Sequence, residues 1–235
     1  MKKIFTAIAL VITSFASAQI VNIPDPGFKT ELLNYVPVID INHDNEIQVS
    51  EASAVTELNL FQSYDLTGIQ AFTNLEVLNV NNSLIALDLS NLFKLKHLSL
   101  HGSISPQLNS INLNDCHKLE YLGLFDIHAP NLDLRNCDSL ATIKFGIIGS
   151  GNIGTLNISG LTKLDSVYDF GTIGSLIAIN CTGLKVIDNR GNPMDLQYLL
   201  DVTGCTNLKR VYLSSIGYDL TSFDFSTCTS LEEFS

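Results

Sequence analysis

Leu200-Asp201-Val202-Thr203-Gly204-Cys205-Thr206-Asn207-Leu208 decides the architecture, because altered copies of it run through the chain. Residues 87 to 95 read LDLSNLFKL and residues 132 to 140 read LDLRNCDSL. In each copy a cysteine or a bulky apolar residue stands three positions before a leucine. All five cysteines, Cys116, Cys137, Cys181, Cys205 and Cys228, take this slot, before Leu119, Leu140, Leu184, Leu208 and Leu231. Phe72, Leu92 and Leu161 take it before Leu75, Leu95 and Leu164, so the slots recur at intervals of 20, 24, 21, 24, 20, 24 and 23. Self-similarity at that period signals a solenoid, whose stacked coils bury the repeated positions and leave function to what varies.

Each repeat carries two apolar pulses. The first is L-x-x-L-x-L, as in Leu75-Leu78-Val80, Leu95-Leu98-Leu100 and Leu119-Leu122-Leu124, and its final alternation has the period of a short strand. The second places Asp or Asn between two apolar residues, as in Leu87-Asp88-Leu89, Ile111-Asn112-Leu113, Leu132-Asp133-Leu134, Leu156-Asn157-Ile158, Leu200-Asp201-Val202 and Phe223-Asp224-Phe225. Two strands per coil, joined at Asn, Gly and Ser bends, predict parallel sheets. The cysteines are expected to remain free thiols. Stacked rungs lie about 4.8 Å apart with parallel Cβ vectors, whereas a disulfide needs about 3.8 Å between Cβ atoms. They then act as small buried hydrophobes that leucine replaces.

The segments LDLSNLFKL, LDLRNCDSL and LDVTGCTNL resemble the leucine-rich repeats of secreted bacterial surface proteins. The resemblance covers residues 58–235 and implies a leucine-rich repeat solenoid: a β-rich coil with short parallel strands, irregular connections and a small α-helical N-terminal cap. It also implies a rod that presents a ladder of strand side chains to a protein or glycan ligand. Between Tyr168 and Asn192 the pattern departs, as if one residue were deleted before Cys181.

Outward residues of the first pulse include His97, Ser99, Tyr121, Thr142, Lys144, Tyr168, Asp188, Arg210 and Tyr212. Tyr and Arg most often anchor interfaces, which makes His97, Tyr121, Lys144, Tyr168, Asp188, Arg210 and Tyr212 the candidate ligand-binding face. The other reading is an ordinary solvated sheet face. The Asx column, Asp88, Asn112, Asp133, Asn157, Asp201 and Asp224, reads either as a cation or glycan ladder or, preferably, as side chains that satisfy backbone donors at each bend.

Residues 19–57 lie outside the repeats. Asp25 before Pro26 starts a helix, with Phe28, Leu32, Leu33 and Val36 at helical spacing up to Pro37, and Ser50 opens a second short helix. Between them, Asp40 to Glu51 resembles an EF-hand or dockerin-like calcium loop. Asp40, Asn42, Asp44, Gln48 and Glu51 hold places one, three, five, nine and twelve, with Glu46 at seven and Ile47 at eight. Place six is Asn45 rather than Gly, the next residue most tolerant of left-handed backbone. An unpaired extracellular site of this kind predicts weak, structural calcium binding, with Kd on the order of 10⁻⁴ to 10⁻³ M. A module that covers an open solenoid end acts as a cap.

Residues 1–18 read as a secretory signal peptide: Lys2 and Lys3, an apolar run from Ile4 to Val11, and Ala16-Ser17-Ala18 before a cleavage point at Ala18-Gln19. The expected location is therefore secreted, cell-surface or periplasmic, without membrane insertion. Of the 13 Lys and Arg, two lie in that leader, which leaves 11 against 24 Asp and Glu and a net charge of −13. Such acidity disfavours nucleic acid as partner. There is no nucleophile elbow, zinc-protease motif, phosphate loop or C-x-x-C, so no catalytic activity is expected. Glycines 146, 149, 151 and 154 read as turn residues. The chain stops inside a first pulse after Phe234, which predicts either end-to-end self-association through an uncapped last coil or a scaffold for a longer secreted enzyme or adhesin.

Overall fold

The computed structural model describes residues 19–102, 108–145, 152–168, 172–190, 199–213 and 223–235. The leader reading and glycines 146, 149 and 151 lie outside these. In chain order the elements are helices α1 (Pro26–Leu33) and α2 (Val49–Ala52), strand β1 (Glu57–Leu60), a 3₁₀ turn (Ile69–Ala71), and strands β2 (Val77–Val80), β3 (Ala86–Asp88), β4 (His97–His101), β5 (Ser110–Asn112), β6 (Tyr121–Phe125), β7 (Ala129–Asp133), β8 (Thr142–Phe145), β9 (Asn152–Asn157), β10 (Ser166–Tyr168), β11 (Thr172–Ile177), β12 (Val186–Asn189), β13 (Leu199–Asp201), β14 (Arg210–Leu213) and β15 (Glu233–Phe234). Among the described residues, the first pulses form one nine-stranded sheet, β1-β2-β4-β6-β8-β10-β12-β14-β15, with every pair parallel. Second pulses form the shorter sheets β13-β11-β9-β7 and β3-β5. Phe223–Phe225 is a second pulse that makes no strand.

The spacing of the slot has a hydrogen-bond cause. Leu92 N–H donates to Leu89 O and Leu95 N–H to Leu92 O, and the same double step recurs at 113-116-119, 134-137-140, 202-205-208 and 225-228-231. Two successive i to i+3 turns repeat every three residues, as in a 3₁₀ helix, so all three side chains of a step point to one side. That side is the interior: Leu89, Leu92, Leu95, Leu134, Cys137, Leu140, Val202, Cys205 and Leu208 are all fully buried. All five cysteines are free. Their thiols meet the coil before, with Cys181 Sγ 2.9 Å from Ile158 O and Cys205 Sγ 2.8 Å from Ala178 O.

The Asx column satisfies backbone. Asp88, Asn112, Asp133, Asn157, Asp201 and Asp224 each accept the N–H two residues on, at 2.7 to 3.1 Å. The deletion read before Cys181 is not there. Ile177 pairs with Asn157 on one side and Asp201 on the other, so it occupies the Asx position itself. Lacking an Asx oxygen, the Ile179 N–H turns to Ser159 Oγ of the preceding coil at 3.1 Å. Ser159→Ala is therefore expected to cost about 1 kcal/mol in urea unfolding, and close to nothing once Ile177→Asn restores a local acceptor. Additivity of the two changes would refute the exchange.

The cap closes the first edge of the long sheet. Tyr35 Oη accepts Asn59 N–H at 2.9 Å, Glu31 accepts Phe61 N–H at 2.6 Å, and Glu31 also receives the Ser63 hydroxyl. Exposed strand donors are thus paired by side chains. Phe28, Leu32, Ile47 and Ala52 join Leu58 and Phe72 in one continuous core. Asp25 caps α1 by accepting Phe28 N–H at 2.6 Å, as the Asp-Pro pair predicts. The helix ends earlier than its spacing implied. Asn34 is the C-cap and its side chain donates to Thr30 O at 2.8 Å, so Val36 lies beyond the helix and is 86% exposed.

Candidate functional site

Register places the outward residues in two columns. His97, Tyr121 and Thr142 succeed one another in the first, which continues through Val186, Arg210 and Glu233. Ser99, Gly123, Lys144, Tyr168, Asp188 and Tyr212 make the second. The His97 and Tyr121 rings stack at 4.2 Å with planes 4° apart, and Lys144 Nζ lies 5.9 Å from the Tyr121 centroid. Beside them a hollow of about 340 Å³ opens over Thr142, Lys144, Ser166 and Tyr168, and Tyr168 is 48% exposed. Partial burial pushes the His97 imidazole below its usual range, so it stays neutral at pH 7. A second stack, His101 on Phe125 at 4.3 Å, lies farther along the same strands. Its signal in the sequence was the next alternate position.

The other end of the face is occupied by its own side chains. Asp188 pairs with Arg190 at 2.7 Å, and the Arg190 guanidinium lies 3.7 Å from the Tyr212 ring centroid. Tyr212 Oη donates to Glu233 at 2.6 Å. Hydrogen bonding to Arg190 holds the Asp188 carboxyl below the usual range, and the bond to Glu233 pushes the Tyr212 phenol up. Tyr212 is 8% exposed, which corrects the expectation that it is open to a ligand, and the outward-facing Ser99 is buried too. Alternation shows which side a residue faces. It does not show what lies over it. Arg190 was not singled out, although Asp133-x-Arg135 makes the same pair at 2.7 Å.

The loop from Asp40 to Glu51 is held by hydrogen bonds to its own carboxylates. Buried Asp40 accepts the Asp44 and Asn45 N–H groups at 3.2 and 3.1 Å, while Glu51 receives Ile41 N–H and Gln48 N–H at 2.8 and 2.9 Å. Asn45 is left-handed at φ 63, as place six demands, and Ile47 is buried. The amides of Asn42 and Gln48 both donate to Asp44 Oδ2 at 2.9 Å. The Glu46 N–H, with those amides, holds the Asp44 carboxyl below the usual carboxylate range. Glu46 itself turns away to Lys29 at 2.7 Å, so its side chain is not among the inward donors. Among the described residues no group of three or more His, Cys, Asp or Glu side chains is arranged to hold a metal ion. The oxygens of Asp40, Asp44 and Glu51, with the amide oxygens of Asn42 and Gln48 once rotated, still match a hard cation in kind.

Elsewhere, Asp126 Oδ1 and His128 Nε2 are buried without a partner among the described residues, and both residues line a cavity of about 10 Å³, close to the room of one water. No helix among the described residues is long and apolar enough to cross a membrane.

No family model matches the chain, and no curated protein matches it. Among solved structures it is similar to internalin C2 of Listeria monocytogenes, at 17% identity and a TM-score of 0.51, over 94% of this chain and 98% of that one. An internalin, inlF, of the same organism matches at 18% identity and a TM-score of 0.44, over 94% of this chain and 72% of that one. The functional domain of InlJ, described as including a cysteine ladder, matches at 19% identity and a TM-score of 0.30, over 92% of this chain and 61% of that one. The internalin C2 likeness agrees with the strand register: the fold is a leucine-rich repeat solenoid.

Proposed function

We propose that the chain is a noncatalytic, exported recognition module that binds a protein or glycan through the outward face of its long sheet. The observation that carries this reading is the hollow at Lys144 and Tyr168 beside the His97–Tyr121 stack. Half-buried rings at His97 and Tyr121 and the exposed ring of Tyr168, next to a cation on a rigid sheet, give a ligand contact area at little cost in side-chain ordering. Binding to panels of extracellular proteins and glycans tests it. Tyr121→Ala with Tyr168→Ala is expected to weaken whatever ligand is found about tenfold or more, with no loss of melting temperature. Equal binding by the variant would remove the face from consideration. Tyr212 is left intact, because it is covered.

Calcium belongs to the same reading as a stiffener of the cap. When bound it would supply a positive centre for the loop carboxylates, while Asp40 and Glu51 keep the loop ends together. Against a chelator control, 10 mM calcium, about 10 to 100 times the expected Kd, should raise Tm by about 3 to 10 °C. Asp44→Asn should abolish most of that rise. Coincident melts with and without calcium would overturn the role.

A further inference from the structure

A second cavity, of about 430 Å³, lies in the cap between the segment after α1 and the start of β1. Val36, Val38, Ile41 and Val55 form its apolar wall. Val36 is 86% exposed, Ile41 67% and Val38 52%. Singly such residues are ordinary, but three around one hollow make an apolar patch of the kind that marks an interaction site. The volume suits an inserted side chain with its neighbours. Glu51 and Glu57 line the same cavity, and among the described residues no Lys, Arg or His does. Glu57 is exposed and stands in register with Val77 and His97, so the cavity borders the head of the first outward column.

We propose that this cavity docks an extended segment of a partner protein, with a bulky apolar side chain filling the hollow and an adjacent Lys or Arg meeting Glu57. The charge of the rim selects this occupant. A second copy of the chain fits poorly, because it would bring a strongly acidic surface against two carboxylates. The inference deepens the recognition reading and rests on it for the direction in which the segment continues along the sheet.

The test uses the ¹⁵N-labelled chain, titrated with N-acetyl-Phe-Arg-amide, N-acetyl-Phe-Glu-amide and N-acetyl-Ala-Arg-amide. Saturable amide shifts at Ile41, Val55 and Glu57 are expected with the first peptide, at a Kd of about 1 mM, and about tenfold weaker or absent with the other two. Ile41→Asp should remove the response, and Val36→Asp serves if that variant melts early. Three results would overturn the proposal: no saturable shift, equal response to all three peptides, or a response that survives both variants. Shifts that follow protein concentration alone would assign the patch to self-association and overturn it as well. Tyr121→Ala with Tyr168→Ala should leave the peptide response intact, so failure of the sheet face and failure of the pocket are read separately.

Discussion

Mixed with a thiol-reactive aromatic disulfide at pH 8, the folded chain is expected to show no fast-reacting cysteine, and five once guanidinium unfolds it. Each of the five is at most 4% exposed. Burial pushes the Cys116 and Cys137 thiols up to about 12, from an ordinary value near 9. At these two the reactive thiolate is thereby about a thousandfold scarcer at pH 8, and at the other three it is burial that shuts the reagent out. Reaction then waits on unfolding, and its rate should follow urea concentration as unfolding does. Cys137→Leu should be tolerated within about 1.5 kcal/mol, because Leu92 and Leu161 fill the slot in other coils. Cys137→Asp should leave no cooperative transition, since an unpaired carboxylate there costs more than about 4 kcal/mol. A thiol that reacts at once in the folded chain, or fewer than five after unfolding, would contradict the interior ladder.

Gly154→Ala should destabilise the chain by about 3 kcal/mol, and Gly160→Ala by only about 1. Gly154 lies inside β9, between the paired positions Ala129–Ile153 and Asn131–Thr155, not in the bend expected for it. A Cβ there would press on the Pro130 carbonyl oxygen of the neighbouring strand, well inside contact distance. Backbone must move to admit it. Gly160 has nothing within 4 Å of an added Cβ, and its cost comes from φ +80 alone. Urea midpoints of the two variants measure the difference. Equal losses would mean that coil contact at Pro130 does not constrain β9.

The inward positions were legible because they recur: a cysteine or bulky apolar side chain in the same slot eight times leaves a solenoid interior as its only economical place. Asx residues were legible for a related reason, since each acts on its own backbone two residues away. Events that depend on the next coil were not. Ile177 looked like a register break because its missing acceptor is replaced from Ser159, 18 positions upstream. Tyr212 looked available because Arg190 and Glu233 cover it from other rungs. Val36 looked helical because spacing carries no mark of where Asn34 ends the helix.

By itself the sequence determined the coil, its interior column, the free thiols and the outward set of side chains, because periodicity is a local property copied along one chain. Tertiary structure alone decided which outward residues are open, where the hollows lie and that the cap carries an exposed apolar cavity. Exposure is a relation between stacked coils whose lengths differ, and no single repeat contains it.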